Sequence, residues 1–350
     1  MKKVAFLVKG LTFFKSMGPL IYFSNKAGII PVVIGVKERP GKEYDSIGTT
    51  EKLCIAFPYH DVVPNFEYQA FMVSSEKEIE PLLTRLDIKN VCCQDAFHHY
   101  PQLVNKFRVF SIGAFFDTAH LATMPDKLKN KPYKVYFPNE DLKKYFLEKS
   151  GIEVKNAVLG SPWFDHSIFT EHIKRDNPAV LFLTPPVNVL SEKMMQDIQR
   201  FVQYCEGNNI LLWVKERLKE PWQGILKGNY KLVSLEAGLP YTAMQLACNT
   251  DVHITSYGTS IFESSYLGRP TINLEIDSNK NISSVGNGKV KNFGMNHLFN
   301  NDLCKTIEGD LIAAYESFGI TEPLPFRAQE TLEDNNSLRI LRDIFDECAE

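Results

Sequence analysis

No glycine-rich dinucleotide loop follows the first apolar run of this chain: Lys9-Gly10-Leu-Thr-Phe-Phe-Lys-Ser-Met-Gly18 has two separated glycines where Gly-x-Gly-x-x-Gly would stand. That argues against a dinucleotide-dependent dehydrogenase. The cysteines (Cys54, Cys92, Cys93, Cys205, Cys248, Cys304 and Cys348) are odd in number, scattered and without zinc spacing. They read as reduced cytosolic thiols, with neither a disulfide framework nor a zinc site among them. Charge of one sign is also lacking. With 39 Lys and Arg against 42 Asp and Glu, the net charge of -3 gives no support for non-specific nucleic-acid binding. No apolar stretch is long enough to span a bilayer, and there is no short repeat or low-complexity tract. The opening Met1-Lys-Lys-Val-Ala-Phe-Leu-Val-Lys9 looks superficially like a secretion signal. Lys9 breaks the apolar run and no small-residue cleavage site follows, so a buried first strand is expected there.

What is present is ordinary globular composition, 44% hydrophobic and 23% charged, over 350 residues, enough for two domains with their own cores. Short apolar runs alternate with helical patterns. Strands are expected at Val4 to Val8, Ile30 to Val36, Asn90 to Cys93, Arg108 to Ile112, Lys134 to Phe137 and Ala157 to Leu159. Helices are expected at Pro19 to Lys26, Glu76 to Leu86 and Asp141 to Lys149. A polar stretch through Asp176 and Pro178 interrupts the pattern and marks a boundary, which divides the chain into 1–170 and 171–350. The alternation then resumes with strands at Ala179 to Leu183, Ile210 to Val214 and Tyr230 to Val233, and helices at Met194 to Cys205 and Pro240 to Cys248. Leu303 to Phe318 and Leu338 to Cys348 are expected as closing helices. Such alternation predicts βαβ units and parallel sheets, with ligands at the carboxyl ends of the strands facing a shared cleft.

The most informative segment is Asp251 to Glu275, which reads as strand, polar turn, helix, and Gly268-Arg-Pro270 into another strand. Ser256, Gly258, Thr259 and Ser260 bring hydroxyls and free N–H groups to a helix start, where phosphate is favoured. Ile261, Phe262, Tyr266 and Leu267 are expected on one apolar side of that helix. Glu263 falls one turn in, on the side where a carboxylate can accept from ribose hydroxyls. The bland reading is a capping box, although Thr259 to Glu263 is one residue too long for it. Lys215 and Arg217 follow a strand at the same edge, suited to neutralising a diphosphate. Thr184, before a double proline, lies there too. In the first half, Asp95 with His98 and His99, and Asp117 with His120, follow strands and are candidates for a general base. The alternative for each is a helix cap or a solvated neighbour. No second cluster accompanies Asp95, His98 and His99, so no metal site is expected.

These residues resemble a known group. Gly160-Ser-Pro-Trp-Phe-Asp165 is similar to the Gly-x-Pro-x-x-Asp segment near the domain boundary of GT-B transferases related to the CDP-glycerol glycerophosphotransferases and capsule polysaccharide transferases. Asp251 to Glu275 resembles their donor-binding signature, and Lys215 stands where their Lys-x-His-Pro element begins. The chain departs from the group at Arg217-Leu218, where His-Pro is usual, and at Ser256 to Ser260, where Asp-Tyr-Ser-Ser is usual. The resemblance implies an α/β protein of GT-B type: two Rossmann-like domains facing a central cleft, closed by C-terminal helices, the last of which packs back on the first domain. It implies a glycosyltransferase that moves a sugar or polyol phosphate from a CDP-, CMP-, UDP- or GDP-linked donor to a hydroxyl of a glycan or lipid-linked glycan. The reaction would be metal-independent, cofactor-free and inverting. Donor contacts would come from Lys215, Arg217, Ser256, Gly258, Thr259, Ser260, Glu263 and Thr184, and the base from Asp117, His120 or Asp95. A cytoplasmic protein, peripheral at the inner membrane face, is implied, acting in surface polysaccharide biosynthesis. Two other readings stay open, a sugar-nucleotide epimerase of the UDP-GlcNAc 2-epimerase type and a nucleotide-sugar-binding protein without turnover. A lid is expected at Lys280 to Asn296.

Overall fold

The computed structural model describes residues 1–38, 41, 46–50, 53, 66–115, 118, 121–122, 124–216, 222, 224–233, 243–256, 260–275, 302–328 and 333–348. It divides into two compact units, Met1–His166 with Glu330–Glu350, and Ser167–Gln329.

In the first unit the chain runs β1 (Lys2–Val8), α1 (Phe14–Phe23), β2 (Ile29–Val36), β3 (Gln69–Val73), α2 (Ile79–Arg85), β4 (Asn90–Gln94), α3 (Ala96–His99), β5 (Arg108–Ile112), β6 (Lys134–Phe137), α4 (Glu140–Ser150) and β7 (Asn156–Val158). The strands form one parallel sheet in the order β3-β2-β1-β4-β5-β6-β7. Val4 to Val8 are all 0% exposed, the continuous apolar run that a strand covered on both faces requires.

Strand β3 was not foreseen. Its residues are mostly half-buried at the sheet edge, so the apolar signal is diluted. Helix α1 begins at Phe14 and not at the expected Pro19, which lies inside it. A proline there leaves the carbonyl four residues back without its N–H. The His166 Nε2–H donates to that carbonyl, Lys15 O, at 3.0 Å, which lets the helix run through its proline.

The second unit runs β8 (Ala179–Leu183), α5 (Glu192–Gly207), β9 (Leu211–Lys215), β10 (Lys231–Val233), α6 (Ala243–Cys248), β11 (Val252–Thr255), α7 (Ser260–Tyr266), β12 (Thr271–Leu274), β13 (Cys304–Ile307) and α8 (Leu311–Glu316). Its sheet is also parallel, in the order β10-β9-β8-β11-β12-β13. The expected closing helix Leu303 to Phe318 is therefore a strand followed by a shorter helix. Helix α5 is capped by Ser191, whose Oγ accepts from Met194 N at 3.1 Å, and buries Met194, Ile198, Phe201, Val202 and Cys205 along one stripe. Each such side chain contributes about 1.5–3 kcal/mol on burial. Against this stripe lie Val252, Ile254, Ile272 and Leu274, one face of β11 and β12.

The final helix, α9 (Asn336–Glu347), belongs to the first unit. Asp165 fastens its start. The buried carboxylate accepts from Ser337 N (2.6 Å), Ser337 Oγ (2.5 Å) and Asn336 Nδ2 (3.0 Å). Gly160 sits at φ +87, and a Cβ there would collide with the Asn336 side chain. The Gly160 to Asp165 motif thus seats a helix that lies far along the chain. Farther along α9, Lys134 on β6 pairs with Asp343 (2.7 Å) and Glu347 (2.8 Å).

Candidate functional site

The register of the second sheet builds the site. Lys215 pairs with Leu183, and Phe182 with Ile254, so one step further Thr255 lies beside Leu183. Thr255 pairs with Asn273, and Asn273 with Thr306. Lys215, Thr255, Asn273 and Thr306 therefore form one row at the carboxyl edge, pointing to one face, with Thr184 and Ser256 one residue beyond. Ligands of open parallel sheets bind at such an edge.

The turn after β11 is anchored at both ends. Ser256 Oγ donates to Leu274 O at 3.0 Å, and Ser260 Oγ lies 2.7 Å from Thr255 Oγ1. The Ser256 hydroxyl proton is thus engaged with backbone, which leaves its oxygen as an acceptor. Thr184 is similar: it is buried, and both its N–H and its hydroxyl donate to Lys215 O, at 3.1 and 3.3 Å. These bonds lock the turn after β8 to the end of β9. Trp222 adds to the lock through its indole N–H to Pro185 O at 2.7 Å, while its backbone N–H reaches Glu216 Oε1 at 2.7 Å.

Glu263 is 1% exposed, in the interior of the unit, and its charge helps push the Cys248 thiol up to about 12, where burial is the main cause. Ile261, Phe262 and Leu267 are buried as expected, but Tyr266 is 43% exposed and does not belong to their stripe. Gly258, Thr259 and Arg217 lie outside the described residues, as do Asp117, His120 and the expected lid at Lys280 to Asn296.

In the first unit, Asp95 follows β4 in the left-handed region at φ 42, a conformation that Asp tolerates better than most residues. It is 2% exposed. Its carboxylate accepts from Thr118 Oγ1 at 2.6 Å and, more loosely, from Ala114 N at 3.3 Å. Asp95 thus ties Ala114 and Thr118, which follow β5, to the end of β4. His98 is exposed, whereas His99 is buried with its ring edge-on to Phe13 at 4.8 Å. Among the described residues, no group of three or more His, Cys, Asp or Glu side chains is gathered as for a metal, and no helix is long and apolar enough to cross a membrane.

Sequence reasoning missed a buried polar face. His253, Thr255, Thr271 and Asn273 alternate with the apolar residues of β11 and β12 and are at most 2% exposed. The signal was the period-two pattern of Val-His-Ile-Thr and Thr-Ile-Asn-Leu in these two strands.

The chain matches no family model and no curated protein. Among solved structures it is similar to UDP-GlcNAc 2-epimerase from Neisseria meningitidis bound to UDP-GlcNAc, with a TM-score of 0.58, 13% identity and coverage of 99% of this chain and 100% of that one. It is also similar to Phytolacca americana UGT2 complexed with UDP-2-fluoro-glucose and pterostilbene, with a TM-score of 0.51, 11% identity and coverage of 98% and 94%. A third is the glycotransferase of kitacinnamycin, with a TM-score of 0.53, 10% identity and coverage of 99% and 95%. The fold is therefore of GT-B type, two Rossmann-like α/β domains with parallel sheets of seven and six strands.

Proposed function

We propose that the chain is an enzyme of nucleotide-activated sugars, and that it transfers a glycosyl group, or a polyol phosphate, from such a donor to a hydroxyl of a glycan or lipid-linked glycan. The observation that carries this reading is the polar row at the carboxyl edge of the second sheet, with Lys215, Thr184 and Ser256 at the ends of three adjacent strands and Ser260, at the start of α7, bonded to Thr255. Proteins of the same fold hold UDP-sugars. The resemblance of Gly160 to Asp165 and Asp251 to Glu275 to the CDP-glycerol and capsule transferase group supports transfer.

In this reading the bond from the sugar C1 to the diphosphate oxygen breaks, and its electron pair leaves with the nucleotide. The growing negative charge is met by Lys215 and Arg217, by the Ser260 hydroxyl and by N–H groups of the turn, with no metal ion needed. The acceptor oxygen bonds to C1 from the opposite side, which inverts the configuration, and its proton passes to Asp117 or His120. Asp95 supports that segment through Ala114 and Thr118. Surface polysaccharide synthesis at the cytoplasmic membrane face suits such an acceptor.

Epimerisation is the second reading, favoured by the TM-score of 0.58 and near-complete mutual coverage with the Neisseria enzyme. One assay separates the two. UDP-GlcNAc, CDP-glycerol and GDP-mannose are each incubated with the protein, with and without a mixed glycan acceptor, and followed by proton NMR. Transfer predicts acceptor-dependent nucleotide release that falls at least 100-fold in Asp117→Asn or His120→Gln. A sugar isomer formed without acceptor overturns transfer in favour of the epimerase.

A further inference from the structure

The second unit interrupts the first: Ser167–Gln329 lies between Met1–His166 and Glu330–Glu350. The chain therefore enters it through residues 170–178 and leaves it through residues 319–328. Neither stretch has a helix or a strand, so the backbone groups of both take their partners from elsewhere. Both take them from the residues that lead into β11 and β12.

On the entry side, Ile173 N donates to Asn249 Oδ1 at 2.8 Å, and Asn249 Nδ2 donates to Glu171 O at 2.9 Å. One amide, 4% exposed, thus stands in for a neighbouring strand, because Asn offers an acceptor and a donor side by side. Arg175 follows and meets the buried Asp251 carboxylate. On the exit side, Leu324 N donates to Asp251 at 2.8 Å, Arg269 Nη2 donates to Pro325 O at 2.7 Å, and Arg327 Nη1 donates to Leu267 O at 3.0 Å. Two features join the sides. Asp251 Oδ1 accepts both from Arg175 Nη2 of the entry, at 3.0 Å, and from Leu324 N of the exit. The His172 ring of the entry stacks on Phe326 of the exit, with centroids 4.9 Å apart and 26° between the planes.

We infer that the entry and exit segments form one latch, closed on Asn249, Asp251 and Arg269, which opens as a single piece: releasing either segment releases the other. Separate fastenings would let each segment fray at its own cost, as surface loops do. Here the shared carboxylate oxygen and the ring pair make the loss of one side a loss for both. The latch keeps the two ends of the inserted unit together. A folded insert then stands in its host chain as a short loop would, without the closure entropy of a long one.

Native-state hydrogen exchange on the full-length chain gives the test, since each segment has its reporting amide, Ile173 on entry and Leu324 on exit. Asn249→Ala removes bonds of the entry alone. His172→Ala and Phe326→Ala break the ring pair from either side and leave the latch's hydrogen bonds in place. The expected result is exchange at Leu324 at least tenfold faster in Asn249→Ala and in His172→Ala, and exchange at Ile173 at least tenfold faster in Phe326→Ala. Leu212 to Val214 in β9 should keep the wild-type rate in all three. Acceleration confined to the altered segment means two independent fastenings and overturns the inference. Acceleration shared equally by β9 is a loss of stability of the whole unit, and overturns it as well.

Discussion

Replacing Asp251 by alanine is expected to destabilise the second unit by about 3–5 kcal/mol, the range for breaking a buried ion pair from one side. Asp251 is 0% exposed and stands just before β11. Its two oxygens meet Arg175 in a forked pair, at 2.6 Å to Nη1 and 3.0 Å to Nη2. The same oxygens accept from Ala179 N at 2.6 Å, which starts β8, and from Leu324 N at 2.8 Å, in the strap after α8. Alanine leaves a guanidinium that is itself 7% exposed without its partner, and orphans two backbone donors. Nearby, Arg269 Nη2 donates to Pro325 O at 2.7 Å, and burial lowers the pKa of this guanidinium. With Asp251 gone, its charge is uncompensated too. Urea unfolding checks the expectation. A loss below about 1 kcal/mol would mean that the four bonds are replaced by water, as at an exposed site.

Acid is expected to destabilise the second unit by about 2 kcal/mol between pH 6.5 and 4.5 through His253 alone. Burial, with the Arg269 charge adding to it, holds the imidazole down to about 3 against an ordinary value of 6.5. A depressed folded pKa means that the unfolded chain binds the proton first as pH falls. Stability is thus full above 6.5 and is lost progressively down to about 3. In the first unit two groups oppose each other. His166, lowered to about 4 by burial, acts in the same sense as His253. Asp165, pushed up to about 7 by burial against the pull of its Ser337 and Asn336 donors, favours the folded state as pH falls from 7 to 4. The steep acid slope should therefore belong to the second unit. Trp213 and Trp222, two of the three tryptophans, report on it in urea titrations at pH 7 and 4.5. His253→Phe should flatten that slope. An unchanged slope in the variant would assign the acid loss elsewhere.

The alternation of strands and helices was legible because parallel strands leave uninterrupted apolar runs and amphipathic helices leave a period near 3.6. Where the reading failed, contacts from distant residues decided. Pro19 reads locally as a helix start, and only His166 explains why α1 begins earlier. Cys304 to Ile307 carries a weak strand signal beside a strong helical one, and pairing with β12 makes it a strand. Asp165 reads as part of a family motif, while its partners at Asn336 and Ser337 are invisible without the fold. The carboxyl-edge placement of Lys215, Thr184 and Ser256 follows directly from their standing at the ends of strands or one residue beyond. The buried contact of His253 Nδ1 with Ser264 Oγ, at 2.5 Å, does not, since it needs the register of α7 on β11.

The most direct test of the account is a thermal-shift titration with UDP, CDP, GDP and CMP against wild type, Lys215→Ala and Ser260→Ala. At 100 times its dissociation constant, the right nucleotide should stabilise wild type by about 2.7 kcal/mol. The account predicts such a shift for one nucleoside diphosphate, reduced by more than half in both variants. If no nucleotide shifts wild type, or the shift is the same in all three proteins, the carboxyl edge of the second sheet is not a nucleotide site.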